Sequence, residues 1–335
     1  MRGRRVLLAE YAVVDGSVLL FGVRADWDEP KIAFIDVDWR ELGLFAEGNF
    51  GSGSNVRDLV TLGLQDMWHS YDRLIAPLST WTDPDDIICL VPQGCLHYLP
   101  LHALKVDGRY LAERNAVTYS PSTAVLRHCV GRRPASPPGT GGTLRKAVVF
   151  GDSEGNLPAA RDEARELAAL LGVTPVIGEQ VTRDKVLTSV PGADLVHVAG
   201  HALFSSEDPL DSGLRLSGGD TLTAAQIFGW QSLNASLVTL SGCETGVSAN
   251  HPGDELIGLV RAFLYARASA VVVSLWPVRD KSTGFLMRQF YTRMLEDQTV
   301  LKADALRQAM LDTMAHPEWG EFYHWASFVL IGDWR

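Results

Sequence analysis

Residues 238–246, with the sequence VTLSGCETG, begin as an apolar, strand-like run that leads to a cysteine. Residues 195–201, LVHVAGH, form a second such run that ends at a histidine. Cys243 and His201 are 42 positions apart, and a helix-length segment separates their strands. Such a crossover makes successive strands parallel, and reactive groups gather beyond the carboxyl ends of parallel strands. The two runs therefore predict a thiol nucleophile beside an imidazole base at one edge of a sheet.

Strand-like and helical patterns alternate through the second half of the chain, on both sides of this pair. The runs predicted as strands are 146–150, 193–198, 236–240, 270–276 and 325–331. The spacing of apolar residues predicts helices at 159–171, 183–190, 222–230, 254–267, 280–295 and 302–315. Continuous apolar strands that alternate with helices are typical of a mostly parallel sheet covered on both faces, so the sequence predicts an α/β fold.

The first part of the chain opens with a predicted β-hairpin. Residues 6–14 and 17–23 are β-prone, and the Asp-Gly pair at 15–16 is a two-residue turn signal. Further predicted elements are a strand at 31–37, a flexible loop at 47–54, a helix at 56–74, a strand at 87–91 and a short helix at 123–129. The front of the chain is thus predicted as a smaller α/β region.

The clearest linker is at residues 131–143, GRRPASPPGTGGT, where proline and glycine are abundant and apolar residues almost absent. It divides the chain into a predicted N-terminal α/β region, residues 1–130, and a predicted catalytic region, residues 144–335. Whether the chain cleaves itself at this linker is left open by the sequence.

Composition limits the classes of function. The 335 residues carry 40 acidic and 30 basic side chains, a net charge of −10, which disfavours nonspecific binding to nucleic acid. No apolar run approaches the roughly 18 residues that span a bilayer. No signal-peptide pattern follows the arginines near the start. We therefore expect a cytoplasmic protein that binds neither nucleic acid nor a membrane.

The four cysteines are too few for a disulfide scaffold and too scattered for a zinc site. We expect no metal and no cofactor. Cys89 and Cys129 are interpreted as small buried apolar residues. Cys95 lies in a turn-like stretch with His97 and His102 nearby in sequence, and is a weaker second candidate nucleophile.

The residues around the main pair suit acyl transfer. A thiolate is the nucleophile, and a nearby imidazole stabilises it and later protonates the leaving amine. Gly200, Ser241 and Gly242 let the backbone turn sharply and let a substrate carbonyl approach. The backbone N–H groups of Cys243 and Ala202 are the predicted oxyanion-hole donors.

Each member of the pair, taken alone, has a simpler interpretation. A lone cysteine after a strand is more often packed in the core, and a lone histidine is more often structural. Their placement at matching strand ends is what favours a site. His197, the inner histidine, lies within its strand, so we expect it to face the core or a neighbouring helix.

Residues 194–335 resemble the CHAT family of caspase-like proteins, which is related to caspases and separases. The matching segments are VHVAGH at 196–201, LSGCETG at 240–246, GDELIGLVRAFLYA at 253–266, SLWPV at 274–278 and FVLIG at 328–332. The front part is similar through LVPQG at 90–94, LHYLPLHAL at 96–104 and YSPS at 119–122. The resemblance covers the chain from about residue 70 onward. It implies a caspase-like sheet flanked by helices, preceded by a smaller pseudo-caspase-like region.

The resemblance implies a cysteine endopeptidase with a Cys243–His201 dyad. The resemblance to caspases and separases also implies that the strand edge at Ser274 and Trp276 pairs with an extended substrate, which adds a strand to the sheet. The partner implied is therefore a protein substrate.

The resemblance further implies an acidic group in the pocket for the residue before the cut. Asp280 is the first candidate and Asp254 the second, although each has a simpler interpretation as the cap of a helix. Two positions depart from the family pattern: Ala202 stands where glycine is usual, and Gly242 where many relatives have alanine. Neither removes the dyad, and Ala202 can still donate its N–H unless its φ is positive.

Two hypotheses from different classes follow. In the leading one, the protein is an endopeptidase regulated by a separate partner or a signal, in a setting such as bacterial defence or cell death. In the alternative, it is a catalytically weak or silent signalling or assembly module that acts by binding proteins. A nucleotide-binding enzyme is disfavoured, because no GK[ST] loop is present and GDSEG at 151–155 lacks the full dinucleotide fingerprint. The substrate and the oligomeric state are left open.

Overall fold

The computed structural model describes residues 4–51, 56–63, 65–131, 146–203, 205, 208–230, 233–241, 254–278, 281–297 and 299–335. The strands in these residues are β1 (Val6–Val14), β2 (Ser17–Arg24), β3 (Lys31–Ile35), β4 (Ile87–Val91), β5 (Lys105–Val106), β6 (Arg109–Tyr110), β7 (Ala116–Tyr119), β8 (Ala147–Gly151), β9 (Val176–Ile177), β10 (Leu195–Ala199), β11 (Ala202–Leu203), β12 (Gly213–Arg215), β13 (Thr221–Thr223), β14 (Leu237–Ser241), β15 (Ala270–Ser274) and β16 (Phe328–Gly332). The helices are α1 (Trp39–Phe50), α2 (Val56–Thr61), α3 (Gln65–His69), α4 (Leu78–Trp81), α5 (Leu111–Arg114), α6 (Thr123–Gly131), α7 (Pro158–Leu171), α8 (Arg183–Ser189), α9 (Ala224–Phe228), α10 (Asp254–Tyr265), α11 (Lys281–Glu296), α12 (Lys302–Met314) and α13 (Phe322–Trp325).

One large sheet contains eleven of these strands, in the order β3-β2-β1-β4-β7-β16-β15-β14-β10-β8-β9. The strands from β15 to β9 are parallel to one another, and so are the strands from β1 to β16. β15 and β16 are antiparallel, so the sheet has two halves whose parallel strands run in opposite directions, while β2 is antiparallel to both of its neighbours. The predicted α/β fold with a mostly parallel sheet is confirmed.

Both faces of β10 are covered. His197 contacts side chains of α7 and α11. Because successive side chains of a strand point to opposite faces, Val196 and Val198 point away from these helices, and they line a small apolar space with Leu214 and Phe263. Within the described residues, no helix combines the length and the apolar character that crossing a membrane would require.

The predicted hairpin is confirmed by β1 and β2, which pair from Leu7 opposite Arg24 to Val14 opposite Ser17. Asp15 and Gly16 have φ angles of 50° and 80°. A two-residue type I′ turn requires positive φ at both positions, and aspartate followed by glycine supplies it with little strain.

Helix α1 includes residues 47–50, which were predicted as part of a loop. Its N-terminus is capped by the Asp38 carboxylate, which accepts hydrogen bonds from two backbone N–H groups of the first turn. Leu42, Phe45 and Phe50 form a buried stripe. The two glycines of this segment lower helix propensity, but the burial of the stripe outweighs that effect.

Two other predicted elements differ from the structure. The helix predicted at 56–74 is divided into α2, α3 and a short 3₁₀ turn, because Gly63 with φ of 68° follows the end of α2. The strand predicted at 325–331 begins only at Phe328, since Trp325 ends α13. Apolar periodicity alone cannot place such breaks, because core residues continue on both sides of each: Leu59 and Trp68 around the first, and Trp325 and Phe328 around the second.

The regions before and after the predicted linker share the large sheet. β16 pairs with β7 through Ile331 opposite Tyr119. Residues 132–143 of the linker lie outside the described residues. The boundaries at 130 and 144 therefore stay predictions.

Lys302, the first residue of α12, is 3% exposed. Its Nζ lies 3.4 Å from the carbonyl oxygen of Ser236, and burial lowers the pKa of its amine from 10.5 to about 8. Below pH 8 both the folded and the unfolded chain carry the proton, so the native state holds a charged amine in a poorly hydrated site. Between pH 8 and 10.5 only the unfolded chain keeps the proton, so this group makes native stability rise with pH across that range.

The variant Lys302→Met is expected to raise the free energy of unfolding at pH 7 by about 2 to 3 kcal/mol, because an apolar side chain of similar length replaces a buried charge. The gain should largely disappear by pH 10.5, where the wild-type amine is neutral in the folded chain. Urea titrations at both pH values measure the effect, with the exposed Lys281→Met as control. A gain of equal size at both pH values would contradict the assignment.

Candidate active site

Three neighbouring parallel strands bring predicted site residues to one edge of the sheet. β10 pairs with β14, with Ala199 opposite Ser241, and β14 pairs with β15. Each β14 residue lies 42 positions after its partner in β10, which equals the spacing of His201 and Cys243. Cys243 itself lies outside the described residues, so its place beside His201 stays a prediction.

The backbone around His201 is held on both sides. The Gly200 N–H donates to the carbonyl oxygen of Ser241 at 3.1 Å, which extends the contact between β10 and β14 beyond the strands. The Arg215 N–H donates to the His201 carbonyl oxygen at 3.0 Å. The φ angle of Ala202 is not positive, so alanine is accommodated there without strain. Its role in an oxyanion hole stays a prediction.

The imidazole of His201 is oriented by a side chain from the loop between β8 and α7. Its Nε2 lies 2.9 Å from Oδ1 of Asn156, and the His201 side chain is 13% exposed. When Nε2 donates to this amide oxygen, the ring proton is on Nε2. Nδ1 is then the ring atom that can accept a proton from a thiol. Asn156 therefore selects both the tautomer and the orientation.

A carboxylate from the same loop adds an electrostatic contribution. Oε2 of Glu154 lies 3.9 Å from Nε2 of His201. Its other oxygen, Oε1, accepts hydrogen bonds from Nε and Nη2 of Arg215 at 3.1 and 3.0 Å. The carboxylate stabilises the imidazolium that forms when the ring takes up a proton, and the guanidinium offsets part of that effect.

The β8–α7 loop is shaped by Asp152, which is 1% exposed and has a φ of 48°. The Asp152 N–H donates to the carbonyl oxygen of Ala199 on β10 at 2.8 Å. Its carboxylate lies 2.6 and 2.8 Å from Nη2 and Nε of Arg161 and accepts from the Leu157 N–H at 2.8 Å. The backbone N–H of Asp152 thus ties the loop to β10, and its buried carboxylate ties the loop to the start of α7.

The sequence of this loop, GDSEG at 151–155, also has the Gly-x-Ser-x-Gly spacing of a hydrolase nucleophile elbow. In an elbow the serine occupies the strained turn and exposes its hydroxyl. Here the positive φ belongs to Asp152, while Ser153 is 7% exposed and donates from Oγ to the Arg215 carbonyl oxygen at 2.7 Å. Gly151 has a packing role, since a β-carbon there would lie 2.4 Å from a side-chain carbon of α7.

His197 is fully buried, which confirms that it faces a neighbouring helix. Its Nε2 lies 3.0 Å from Oε1 of Glu163, without hydrogen-bond alignment, and its Nδ1 lies 3.2 Å from the hydroxyl of Tyr291. That hydroxyl donates to Oγ1 of Thr239 at 2.7 Å. These four side chains, defined here as the buried polar network, join α7, β10, α11 and β14.

The predicted substrate-binding strand is not an edge strand, because β15 pairs with β14 on one side and with β16 on the other. This corrects the expected geometry: β15 has no unpaired edge, so pairing of an extended substrate with residues 275–278, just beyond the strand, stays a prediction. The side chains of Ser274 and Trp276 are buried, with 2% and 3% exposure. Any contribution of Ser274 or Trp276 to substrate binding would therefore come from its backbone. That contribution stays a prediction.

The two predicted specificity residues are not tested. Asp254 is the first residue of α10. Its side chain, and the whole of Asp280, lie outside the described part of the chain. Both the pocket role and the capping role stay predictions for each aspartate.

The second candidate nucleophile is a poor one. Burial raises the pKa of the Cys95 thiol to about 11, so the thiol stays protonated at neutral pH. Cys89 and Cys129 are fully buried, as expected. In the part of the chain that the structure describes, no group of three His, Cys, Asp or Glu side chains is placed to hold a metal ion.

Asn156 and Glu154 are the site residues that sequence reasoning missed. The sequence does place both residues just after a predicted strand, residues 146–150. In the structure that strand, β8, lies next to β10. Groups at the carboxyl ends of adjacent parallel strands meet at one edge. The order of the strands in the sheet, which the sequence does not state, was needed to use this signal.

A family model described as the CHAT domain matches residues 70–333. The matched range contains both members of the predicted dyad. It leaves β1, β2, β3, α1, α2 and α3 outside.

Among curated proteins, the mouse protein named tetratricopeptide repeat protein 28 is 26% identical over 350 residues, which covers 87% of this chain and 14% of that protein. The human protein of the same name is 28% identical over 322 residues, which covers 78% of this chain and 13% of that protein. The chain therefore spans about one seventh of the length of these relatives.

Among solved structures, the Saccharomyces cerevisiae separase–securin complex matches with a TM-score of 0.52 and 14% identity, over 73% of this chain and 15% of that chain. A complex of Porphyromonas gingivalis RgpB pro- and mature domains matches with a TM-score of 0.51 and 11% identity, over 88% of this chain and 76% of that chain. At such identities the likeness shows the fold alone, which is that of the caspase-like cysteine proteases.

Proposed function

Because this chain belongs to the CHAT-domain family, we propose that it is a cysteine endopeptidase that cuts a specific protein. The observation that supports this most is the 42-position register of β10 and β14. Continued for two residues past Ala199 and Ser241, that register would set His201 opposite Cys243. The hydrogen bond from Nε2 to Asn156 leaves Nδ1 of the same imidazole suited to act as the base.

In the proposed first step, Nδ1 of His201 takes the proton of the Cys243 thiol. The thiolate sulfur attacks the carbonyl carbon of the scissile peptide, and the carbonyl electrons move to the oxygen. The N–H groups of Cys243 and Ala202 bind this oxyanion. When the carbonyl re-forms, the C–N bond breaks, and the imidazolium gives its proton to the leaving amine.

The second step releases the acyl group. His201 removes a proton from a water molecule, whose oxygen attacks the thioester carbon. The C–S bond then breaks, the proton returns to sulfur, and a carboxylic acid is released and ionises. Glu154 stabilises the imidazolium in both steps, while the Asn156 amide keeps the ring in position.

The alternative function is protein binding by a weak or silent site. The observation in its favour is that the matched relatives carry a repeat-protein name and are about seven times longer than this chain. In either case we propose a cytoplasmic protein controlled by a separate regulatory protein. Labelling of Cys243 by a thiol-reactive peptide probe separates the two functions. A Cys243 that stays unlabelled, even with partners that do bind, favours the binding module.

Cleavage by the wild type and by Cys243→Ala tests the proposal. We expect the variant to lose about a thousandfold or more of the activity on dye-quenched casein and on a whole proteome, since it lacks the nucleophile. Cys95→Ala is the matched control, because this half-buried thiol is protonated at neutral pH and should be dispensable. Equal cleavage by the wild type and Cys243→Ala would contradict the proposed protease function.

A further inference from the structure

Residues 275–278, defined here as the substrate-pairing segment, are tied to α13 by two hydrogen bonds. The indole Nε1–H of Trp276 donates to the carbonyl oxygen of Tyr323 at 3.1 Å. The Tyr323 hydroxyl donates to the carbonyl oxygen of Pro277 at 2.8 Å. The two bonds run in opposite directions between the segment and one residue of α13, so the position of the segment depends on this helix.

The same indole packs against a residue of α1. The ring centroids of Trp276 and Phe50 are 5.9 Å apart, and each ring also contacts Phe322 of α13, at 5.5 and 6.4 Å. All three side chains are buried, with exposures between 3% and 5%. Because protein interiors are close-packed, a displacement of Phe50 must either move Trp276 or leave a void.

A second helix from the start of the chain reaches the other support of the segment. The guanidinium of Arg57, on α2, lies 5.8 Å from the ring centroid of Tyr323. Both α1 and α2 lie before residue 70, where the CHAT-domain match begins. Helices α1 and α2, which lie outside the matched range, therefore contact Trp276 and Tyr323, the two side chains that join the substrate-pairing segment to α13.

We infer that α1 and α2 position the substrate-pairing segment, with Phe50 as the positioning residue. The inference rests on the proposed function, in which residues 275–278 pair with the protein substrate. It gives the region before residue 70 a role: a partner that shifts α1 would change substrate affinity without touching Cys243 or His201. Control exerted in this way acts on KM, because the segment binds substrate and takes no part in the bond changes.

The test compares Phe50→Leu with Phe45→Leu. Phe45 is a matched control, since it is buried on the same helix and its described ring contacts are with Phe50, Trp68 and Tyr71. We expect Phe50→Leu to speed amide hydrogen exchange in residues 275–278 by about tenfold, and Phe45→Leu to leave it near the wild-type rate. With dye-quenched casein, Phe50→Leu should raise KM several-fold with little change in kcat. The rate at which iodoacetamide alkylates Cys243, read by mass spectrometry, should not change.

Two results would overturn the inference. One is an equal effect of both variants on hydrogen exchange in the segment, which would mean that loss of an aromatic ring from α1 loosens the whole region. The other is a loss confined to kcat, or slower alkylation of Cys243. Absence of any casein cleavage by the wild type would count against the proposed function instead, and hydrogen exchange would still decide whether Phe50 positions the segment.

Discussion

The variant His201→Ala is expected to lower kcat/KM for protein cleavage by about a thousandfold, because it removes the base that takes the thiol proton and the acid that protonates the amine. Asn156→Ala should have a smaller effect, roughly tenfold to a hundredfold, since the imidazole remains but its ring is no longer held through Nε2. That loss should fall mainly on kcat. The surface histidine variant His128→Ala is the control, and it should retain full activity.

A second measurement tests the same pair without a substrate. An adjacent imidazolium favours the thiolate, so Cys243 should react with iodoacetamide at pH 7 about tenfold faster in the wild type than in His201→Ala. In the variant the rate should rise with pH through the ordinary range of a free thiol, at about pH 8.5. Identical pH profiles for the two proteins would show that His201 does not act on this cysteine.

The other large effect concerns stability and falls on the buried polar network. Nδ1 of His197 faces a tyrosine hydroxyl that itself donates to Thr239, so Nδ1 must carry a proton. Its Nε2 faces the carboxylate of Glu163 at 3.0 Å, and a contact between these two atoms is favourable only if a further proton lies on one of them. The two side chains therefore depend on each other, since removing either one takes away the polar atom that faces the buried Nε2 of His197 or the buried Oε1 of Glu163.

We expect Glu163→Leu and His197→Leu each to lower the free energy of unfolding by about 3 to 5 kcal/mol, as loss of one member of a buried pair does. The double variant should lose less than the sum of the two, because no polar atom of the pair is then left alone. Glu166→Leu, an exposed position on the same helix, is the control and should change stability little. Urea denaturation measures all four variants, and losses that simply add would show that the pair is not coupled.

Much of the fold can be predicted from the sequence, where local pattern and tertiary structure agree. The strand at Ile87–Val91 and the helix at Lys302–Met314 match their predictions within a residue or two. A short apolar run favours a buried strand, and a periodic amphipathic stripe favours a helix packed on the core. The hairpin around Asp15 and Gly16 was predictable for a similar reason, since its turn chemistry is local.

The errors occur where distant contacts decide the local structure. Residues 47–50 look like the start of a glycine-rich loop, but burial of Phe45 and Phe50 among aromatic side chains makes them the end of a helix. The opposite directions of the two sheet halves could not be inferred either. They follow from the antiparallel pairing of β15 with β16, and no short pattern in the sequence encodes it.

The candidate site likewise contains some residues that the sequence predicts and others that it does not. His201 could be proposed because it ends an apolar strand, and His197 could be placed in the core because it lies within one. Asn156 could not be identified, since its relation to His201 exists only once β8 lies beside β10. Cys243 is supported by register and resemblance, and its own position stays a prediction.

The position of β16 in the sheet also governs the order in which the molecule can assemble. This strand follows every other strand that the structure describes, yet it lies between β7 and β15, in the middle of the sheet. It brings Leu330 into contact with Thr118 across 212 positions of sequence. Contacts of such separation form slowly, because the entropy of closing a long loop must be overcome first. During synthesis the two half-sheets can join through β16 only when residues 328–332 have left the ribosome. Until then each half exposes an unpaired strand, so a nascent chain is open to aggregation, or to shielding by a chaperone, until its last strand inserts.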